Sequence, residues 1–167
     1  MNLTNYHRSM LRKIELPMHG KVIQNIVYLF DEDKDVIDNV VYLEFNDKSV
    51  VAFYKNDSNP LVSYNYIYYL DDFNLFSCYE SITPKEIENF IPFNIDLIKL
   101  IFHSDYNELL GVYLSATLSN KSLFLIFSQD EIYVYFDVEI ASINSLIKEK
   151  LIHFSNLELL SIDYCNS

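Results

Sequence analysis

The chain has 167 residues and a formal net charge of -12, from 24 acidic and 12 basic side chains. This length fits one domain, and an apolar content of 50% is enough for a hydrophobic core and excludes a disordered composition. The negative charge disfavours binding to nucleic acid or to anionic membranes, and it favours a basic partner.

The sequence also bears on the compartment. The N-terminal stretch MNLTNYHRSMLRK carries charges where a signal peptide has its apolar segment, and no window reaches the apolar length of a membrane span. Cys78 and Cys165 have no CxxC spacing and are expected to be reduced thiols. We therefore expect a cytoplasmic protein.

Charge is distributed unevenly along the chain. Residues 1–30 hold four basic side chains against Glu15 alone, whereas residues 31–82 hold eleven acids against three lysines, a net of -8. Such an acidic run is typical of a solvated face, and it is also what a surface for a basic partner would contain.

Four β-strands are predicted in the first part of the chain, because apolar and β-branched residues alternate there between polar turns. The turn NDKS separates the second and third strands as a hairpin, and DEDKD (31–35) is a polar loop. In the last of these strands Tyr64, Tyr66 and Tyr68 share one face. The predicted strands cover 21–30, 36–45, 50–55 and 61–70.

Helical signals follow. The segment TPKE (83–86) places Thr at an N-cap, Pro at the first helical position and Glu at the capping-box position. This helix is expected to end before Pro92. Asn94 is then predicted to cap a second helix over 95–102, where apolar residues have helical spacing.

The remainder of the chain repeats this alternation. Strands are predicted over 109–118, 122–127 and 131–140, followed by a helix over 143–154 and a last strand over 156–164. Strands in runs with helices between them indicate an α+β fold with mostly antiparallel sheet.

The two halves are similar to each other. VYLEFNDKSVVAFY (41–54) aligns without a gap on LFLIFSQDEIYVYF (123–136), and the only two glycines, Gly20 and Gly111, introduce the preceding strands. Duplication of a strand–hairpin–helix unit would explain this, although alternating apolar hairpins also resemble one another by chance. The single domain 1–167 would then contain repeats over 20–103 and 109–167.

The sequence offers little catalytic chemistry. Two glycines are too few for a phosphate-binding loop, and the four histidines have no metal-ligand spacing. The carboxylates of DEDKD lie in a polar loop, where nothing would separate their pKa values for acid–base catalysis. We predict no catalytic residue, no cofactor and no metal. A small enzyme with an unrecognised active site is the alternative.

The chain resembles the immunity proteins of bacterial polymorphic toxin systems, including those of contact-dependent growth inhibition. The resemblance extends over the whole chain and rests on small size, acidity, an Ile- and Asn-rich composition and the hairpin VVYLEFNDKSVVAFYKND. It implies cytoplasmic residence, no enzymatic activity and tight binding to a cognate toxin domain, often a basic nuclease. In some such families the toxin adds strands to the immunity protein's sheet.

A partner surface is predicted where negative charge and tyrosine density are both high. Carboxylates would steer a basic toxin, and tyrosines would anchor it. The alternatives are a solvated acidic face with tyrosines under the helices, and an acidic mimic that competes with nucleic acid. The predicted partner-binding residues are Asp31, Glu32, Asp33, Asp35, Tyr64, Tyr66, Tyr68, Asp71 and Asp72.

Overall fold

Two antiparallel β-sheets stack face to face in the computed structural model, and the part of the chain that the structure describes has three α-helices packed around them. The fold is therefore α+β and mostly β, as the sequence predicts. The structure describes residues 3–31, 33–55, 60–65, 69–70, 73–74, 80–82, 85–104, 107–116, 118–154 and 157–165.

The first sheet contains the predicted N-terminal strands. Its order is β4-β3-β2-β1-β7, and β8 pairs with the beginning of β1. A separate two-stranded ribbon is formed by β5 and β6. These strands are β1 (Val22–Phe30), β2 (Val36–Phe45), β3 (Val50–Tyr54), β4 (Leu61–Asn65), β5 (Tyr69–Leu70), β6 (Phe73–Asn74), β7 (Glu80–Ile82) and β8 (Phe93–Asn94).

The second sheet follows in the chain and has the order β12-β11-β10-β9-β13. The last strand thus pairs with β9 and not with its sequence neighbour. These strands are β9 (Leu97–His103), β10 (Leu109–Ala116), β11 (Lys121–Phe127), β12 (Ile132–Phe136) and β13 (Leu159–Cys165). The helices are α1 (Asn5–Met18), α2 (Lys85–Glu88) and α3 (Ile143–Lys150), the last preceded by a 3-10 turn at Ile140–Ser142.

The main core lies between the two sheets. Alternate residues of each strand point into it, so that Val51 and Phe53 of β3 belong to the same apolar cluster as Leu125 and Phe127 of β11. The rings of Phe53 and Phe127 lie 5.9 Å apart. On the outer side of the second sheet, α3 buries Ile147 against that sheet in a second cluster. The sandwich is therefore fixed by burial on both sides of the second sheet.

The predicted helix over 95–102 is wrong, because this segment contains strand β9. Ile98, Leu100 and Phe102 face the inter-sheet core, whereas Ile101 faces the α3 side. A strand in the middle of a sheet that is covered on both faces has apolar residues at nearly every position. The spacing of its apolar residues then fits a helix as well as a strand. Pairing with β10 and β13 decides the outcome.

Other predictions fare better. Residues 41–54 and 123–136 each form an antiparallel hairpin, as predicted. Val41 lies opposite Phe53, whereas the aligned Leu123 lies opposite Phe136, so the hairpins differ in register by one residue. The duplication itself stays a prediction. The helix predicted over 143–154 is confirmed over the shorter range of α3. Helix α2 begins where TPKE predicts a helix, but Thr83 and Pro84 themselves lie outside the described residues.

Helix α1 is an element that the patterns above do not predict. Thr4 is its N-cap: the Thr4 side chain accepts a hydrogen bond from the His7 N–H, and His7 Nδ1 accepts one from the Thr4 N–H, both at 3.3 Å. This is a capping box in which His takes the place of the usual Glu or Gln. Gly20 follows the helix end with a φ of 65°, a conformation that glycine adopts without strain.

His7 is also buried. Its ring packs edge-on against Phe102 of β9 at 4.6 Å, and its Nε2 has no hydrogen-bond partner among the described residues. Burial lowers the pKa of His7, because a buried imidazolium loses its hydration. The neutral imidazole is therefore the form that both caps α1 and packs against the second sheet.

Acid should weaken this contact. An unfolded histidine has a pKa of about 6.5, so as the pH falls the unfolded chain binds the proton before the folded protein does. The contribution of His7 to the free energy of unfolding is therefore present above about pH 6.5 and lost below it. We expect His7→Gln, which keeps a capping-box acceptor, to show a smaller drop in urea midpoint than the parent between about pH 7 and about pH 5. The exposed His153→Gln is the control, and identical pH dependence of all three proteins would contradict this role.

Candidate functional site

The loop between β1 and β2 is built around one carboxylate. Asp31 Oδ1 accepts hydrogen bonds from the backbone N–H groups of Asp33 at 2.9 Å and Asp35 at 3.0 Å. Lys34 has a φ of 66° and completes the turn. Asp31 is thus a turn-forming residue, whereas Asp33 and Asp35 are exposed. The fourth predicted acid of this loop, Glu32, lies outside the described residues.

The strand registers bring carboxylates of the second sheet to the same end of the sandwich. Lys55, which follows β3, contacts Glu108 in the loop before β10, so these strand ends adjoin. The Ser104 N–H donates to the Glu158 carbonyl at 2.9 Å, and the β11–β12 turn lies beside the beginning of β10. We call this region the acidic end and define it by Asp31, Asp33, Asp35, Asp38, Glu108, Asp130, Glu131 and Glu158.

The acidic end carries little counter-charge. Among the described residues, Glu108 is its one member with a Lys, Arg or His nitrogen within 4 Å, that of Lys55 at 3.5 Å. Three carboxylates outside the acidic end are paired: Asp47 with Lys21 at 2.7 Å, Glu44 with Lys48 at 3.3 Å and Asp163 with Lys99 at 2.8 Å. The acidic end thus gathers eight carboxylates, against which the same region holds Lys34 and Lys55, so its local charge is strongly negative.

Tyr64 is not part of the acidic end. It pairs across the sheet with Val51, in the row that continues through Leu43 to Ile26. Ile26 in this row is five residues before Asp31 along the chain, and Tyr64 lies three strands away from β1. At ordinary strand spacings this places Tyr64 roughly 20 Å from Asp31. The predicted single surface of acidic loop and tyrosines is therefore not formed by Tyr64. Tyr66, Tyr68, Asp71 and Asp72 lie outside the described residues.

Tyr64 belongs instead to a cluster around Lys21. The ammonium group of Lys21 lies 2.6 Å from Ser49 Oγ, 3.4 Å from the Tyr64 hydroxyl and 5.4 Å from the centre of the Phe45 ring. Asp47 accepts a hydrogen bond from the Ser49 hydroxyl as well as from Lys21. The cluster ties the β2–β3 turn to the beginning of β1.

Protonation in this cluster argues for a structural role. Burial lowers the pKa of Lys21, but hydrogen bonds to Asp47 and Tyr64 outweigh it, and the pKa is raised. The hydrogen bond from Lys21, with that from Ser49, lowers the pKa of Asp47 to about 2. A nucleophilic serine needs a neutral base beside it and access to substrate. Here the lysine is charged and Ser49 is fully buried.

A groove of about 440 Å³ lies beside β10 and β11, with Tyr113 and Ser122 in its lining. Both side chains donate hydrogen bonds to the Val138 carbonyl, at 3.1 and 2.8 Å. Lys121 Nζ donates to the Phe90 carbonyl at 2.6 Å. These polar groups are used in holding loops to the sheet, and they do not converge on a point where a ligand would bind.

Two further findings concern the described ranges alone. They contain no group of three or more His, Cys, Asp or Glu side chains placed to hold a metal ion. No helix within them has the length and apolar character needed to span a membrane.

The geometry thus defines a β-sandwich protein with one strongly acidic end. Comparison of the chain with protein-family models, with curated proteins and with solved structures found no match. The sequence had identified the acids of the first loop but not Asp38, Glu108, Asp130, Glu131 and Glu158. The order of the strands could have identified Glu108, Asp130, Glu131 and Glu158, because turns at one end of a sandwich lie close together in space.

Lys55 and Glu108 provide a test of how the two sheets meet at the acidic end. Lys55 is 1% exposed, whereas Glu108 is 25% exposed. Removing one member of a fully buried pair costs about 3–5 kcal/mol, and partial exposure reduces this. We expect Glu108→Gln to lower the free energy of unfolding by about 1–3 kcal/mol, and Lys55→Met/Glu108→Gln to lower it by less than the sum of the single changes.

The control is Glu158→Gln, an exposed carboxylate at the same end, for which a change within about 0.5 kcal/mol is expected. Urea denaturation of the four variants and the parent provides the measurement. Additive effects of the Lys55 and Glu108 substitutions would show that the pair does not couple the sheets.

Proposed function

We propose that the chain is an immunity-type binding protein that neutralises a basic toxin domain in the cytoplasm by direct contact through its acidic end. The observation that supports this proposal is the group of carboxylates from four loops and strand β2, of which only Glu108 has a basic side chain within 4 Å among the described residues. The resemblance to immunity proteins supplies the class of partner, and the charge distribution supplies the surface.

The physical argument concerns association. Summed negative potential at one end of a protein raises the encounter rate with a basic partner and orients it before contact. The acidic loops are held by strands whose side chains are buried on the inner face, and Asp31 fixes the turn that presents Asp33 and Asp35. A fixed array of charges loses little conformational entropy on binding.

The predicted partner residues differ in how well they suit a binding experiment. Because Asp31 accepts two backbone hydrogen bonds, its substitution would alter the loop as well as its charge. Asp33 and Asp35 are exposed, and their carboxylates accept no hydrogen bond from other described residues, so substituting them changes charge without removing a contact of the loop. They are therefore the better residues for a binding experiment. Tyr66 and Tyr68 stay predicted anchors, to be tested separately by their effect on dissociation.

The partner itself can be sought in the neighbouring gene upstream. A large exported protein with a variable C-terminal domain would be the expected neighbour. That domain should kill or arrest cells when it is expressed alone, and co-expression of this chain should restore growth. Normal toxicity in the presence of folded protein would overturn the proposal.

Charge removal should then act on the association rate. We expect Asp33→Asn/Asp35→Asn to slow association with the toxin domain by roughly 3- to 10-fold at low salt, with dissociation little changed, because exposed charges mainly steer encounter. The difference should shrink at physiological ionic strength, where the Debye length is about 8 Å. Surface plasmon resonance with immobilised toxin domain measures both rates.

The matched control is Glu88→Gln/Glu139→Gln, which removes the same charge from exposed sites outside the acidic end. Equal slowing by both double variants would mean that net charge alone matters and that the acidic end is not the binding surface.

A further inference from the structure

One face of α1 has the opposite charge to the rest of the molecule. Arg8, Arg12 and Lys13 are exposed on it together with Asn5 and Ser9, and these residues line a shallow groove of about 370 Å³. Positions 5, 8, 9, 12 and 13 fall on one side of a helix, since residues three and four apart are neighbours. The opposite side is apolar and buries Met10, Ile14 and Met18 in the core. We call this face the basic stripe.

The basic stripe is not neutralised within the molecule. No carboxylate of the described residues lies within 4 Å of Arg8, Arg12 or Lys13. Three cations out of 12 in the whole chain are thus concentrated on one exposed helix face of a protein with a net charge of -12. The stripe is complementary in charge to the acidic end, which is likewise largely unpaired.

The two surfaces adjoin. The Thr4 hydroxyl donates to Asn107 Oδ1 at 3.2 Å, and Asn107 precedes Glu108 of the acidic end. The Tyr6 side chain also lies beside the backbone of Leu109, the residue after Glu108. Helix α1 therefore begins beside the acidic end, and Arg8 follows Thr4 by about one turn, roughly 6 Å along the axis. The side chains of the stripe point outward from α1. They are therefore better placed to contact a second molecule than the acidic loops of the same molecule.

We propose that two copies of the chain associate reciprocally, the basic stripe of each docking on the acidic end of the other. Adjoining surfaces of opposite charge form a self-complementary patch, which suits a two-fold dimer because each contact occurs twice and the assembly closes. This inference goes beyond the proposed function and does not depend on a toxin. A basic partner at the acidic end would compete with the dimer.

Salt should act in two opposed ways. Repulsion between two bodies of charge -12 has long range and is strongest at about 0.01 M salt, where the Debye length is about 30 Å. Contacts between the stripe and the acidic end have short range and persist at about 0.1 M, but are screened at about 1 M, where the Debye length is about 3 Å. The dimer fraction should therefore be highest at intermediate salt and fall on both sides.

Charge exchange provides the decisive experiment. Arg8→Glu/Arg12→Glu and Asp33→Lys/Asp35→Lys should each be monomeric, because like charges then face each other in the homodimer. An equimolar mixture of the two should regain the dimer, since each stripe again meets an end of opposite sign. Sedimentation velocity at about 0.1 mM protein and about 0.1 M salt measures the rise in mass above the 19.7 kDa monomer.

The controls change the same charge elsewhere. Lys85→Glu/Lys148→Glu matches the arginine variant, Glu88→Lys/Glu139→Lys matches the aspartate variant, and both should dimerise as the parent does. Circular dichroism establishes that all variants are folded. A parent that stays monomeric at every salt concentration, or a mixture that stays monomeric, would overturn the proposal. Heparin chromatography tests the other use of the stripe, which is binding of a polyanion. If the arginine variant alone loses retention on heparin, and its sedimentation equals that of the parent, the stripe binds polyanions and the dimer proposal is overturned.

Discussion

Burial of the inner faces of the two sheets is the constraint on which the other features depend. Phe53 and Phe127 meet across the interface, and Lys55 meets Glu108 at its edge. Once the sheets are stacked in this way, the turns at one end of each sheet lie together. The acidic end is thus a consequence of packing: acids that are far apart in the sequence are brought together because apolar side chains elsewhere on the same strands must be covered.

The same packing explains which parts of the fold were predictable. Strands bounded by marked polar turns could be identified from the sequence alone, as β1, β2 and β3 were. Strand β9 could not, because its apolar residues also fit helical spacing and Asn94 before it resembles a helix cap. Strands β10 and β11 are just as buried, but their runs do not follow a helix-cap signal. Helix α1 was missed for another reason: its cap uses His7 where a capping box usually has Glu or Gln.

The candidate site residues also include some that the sequence could predict and some that it could not. Local charge density identified the loop at 31–35, but only pairing between strands could assign Tyr64 to the Lys21 cluster and Glu108, Asp130 and Glu158 to the acidic end. Asp31 illustrates a further limit. As part of an acidic run it looks like its neighbours, and the hydrogen bonds that make it a turn-forming residue depend on the folded backbone. Composition indicated an acidic surface, and topology determined its extent.

Charge at the acidic end opposes folding, since like charges brought together by packing repel one another. Elsewhere the chain relieves such repulsion locally, by Lys21 beside Asp47 and Lys99 beside Asp163. At the acidic end only Lys34 and Lys55 lie among eight described carboxylates, whereas Arg8, Arg12 and Lys13 lie on the outer face of α1. In a distribution that leaves both surfaces unpaired within the described part of the molecule, water and dissolved ions screen the charges of the free protein, and a second molecule of opposite charge can replace them. Selection for stability alone would favour internal pairing, so this arrangement supports a role in association for both surfaces.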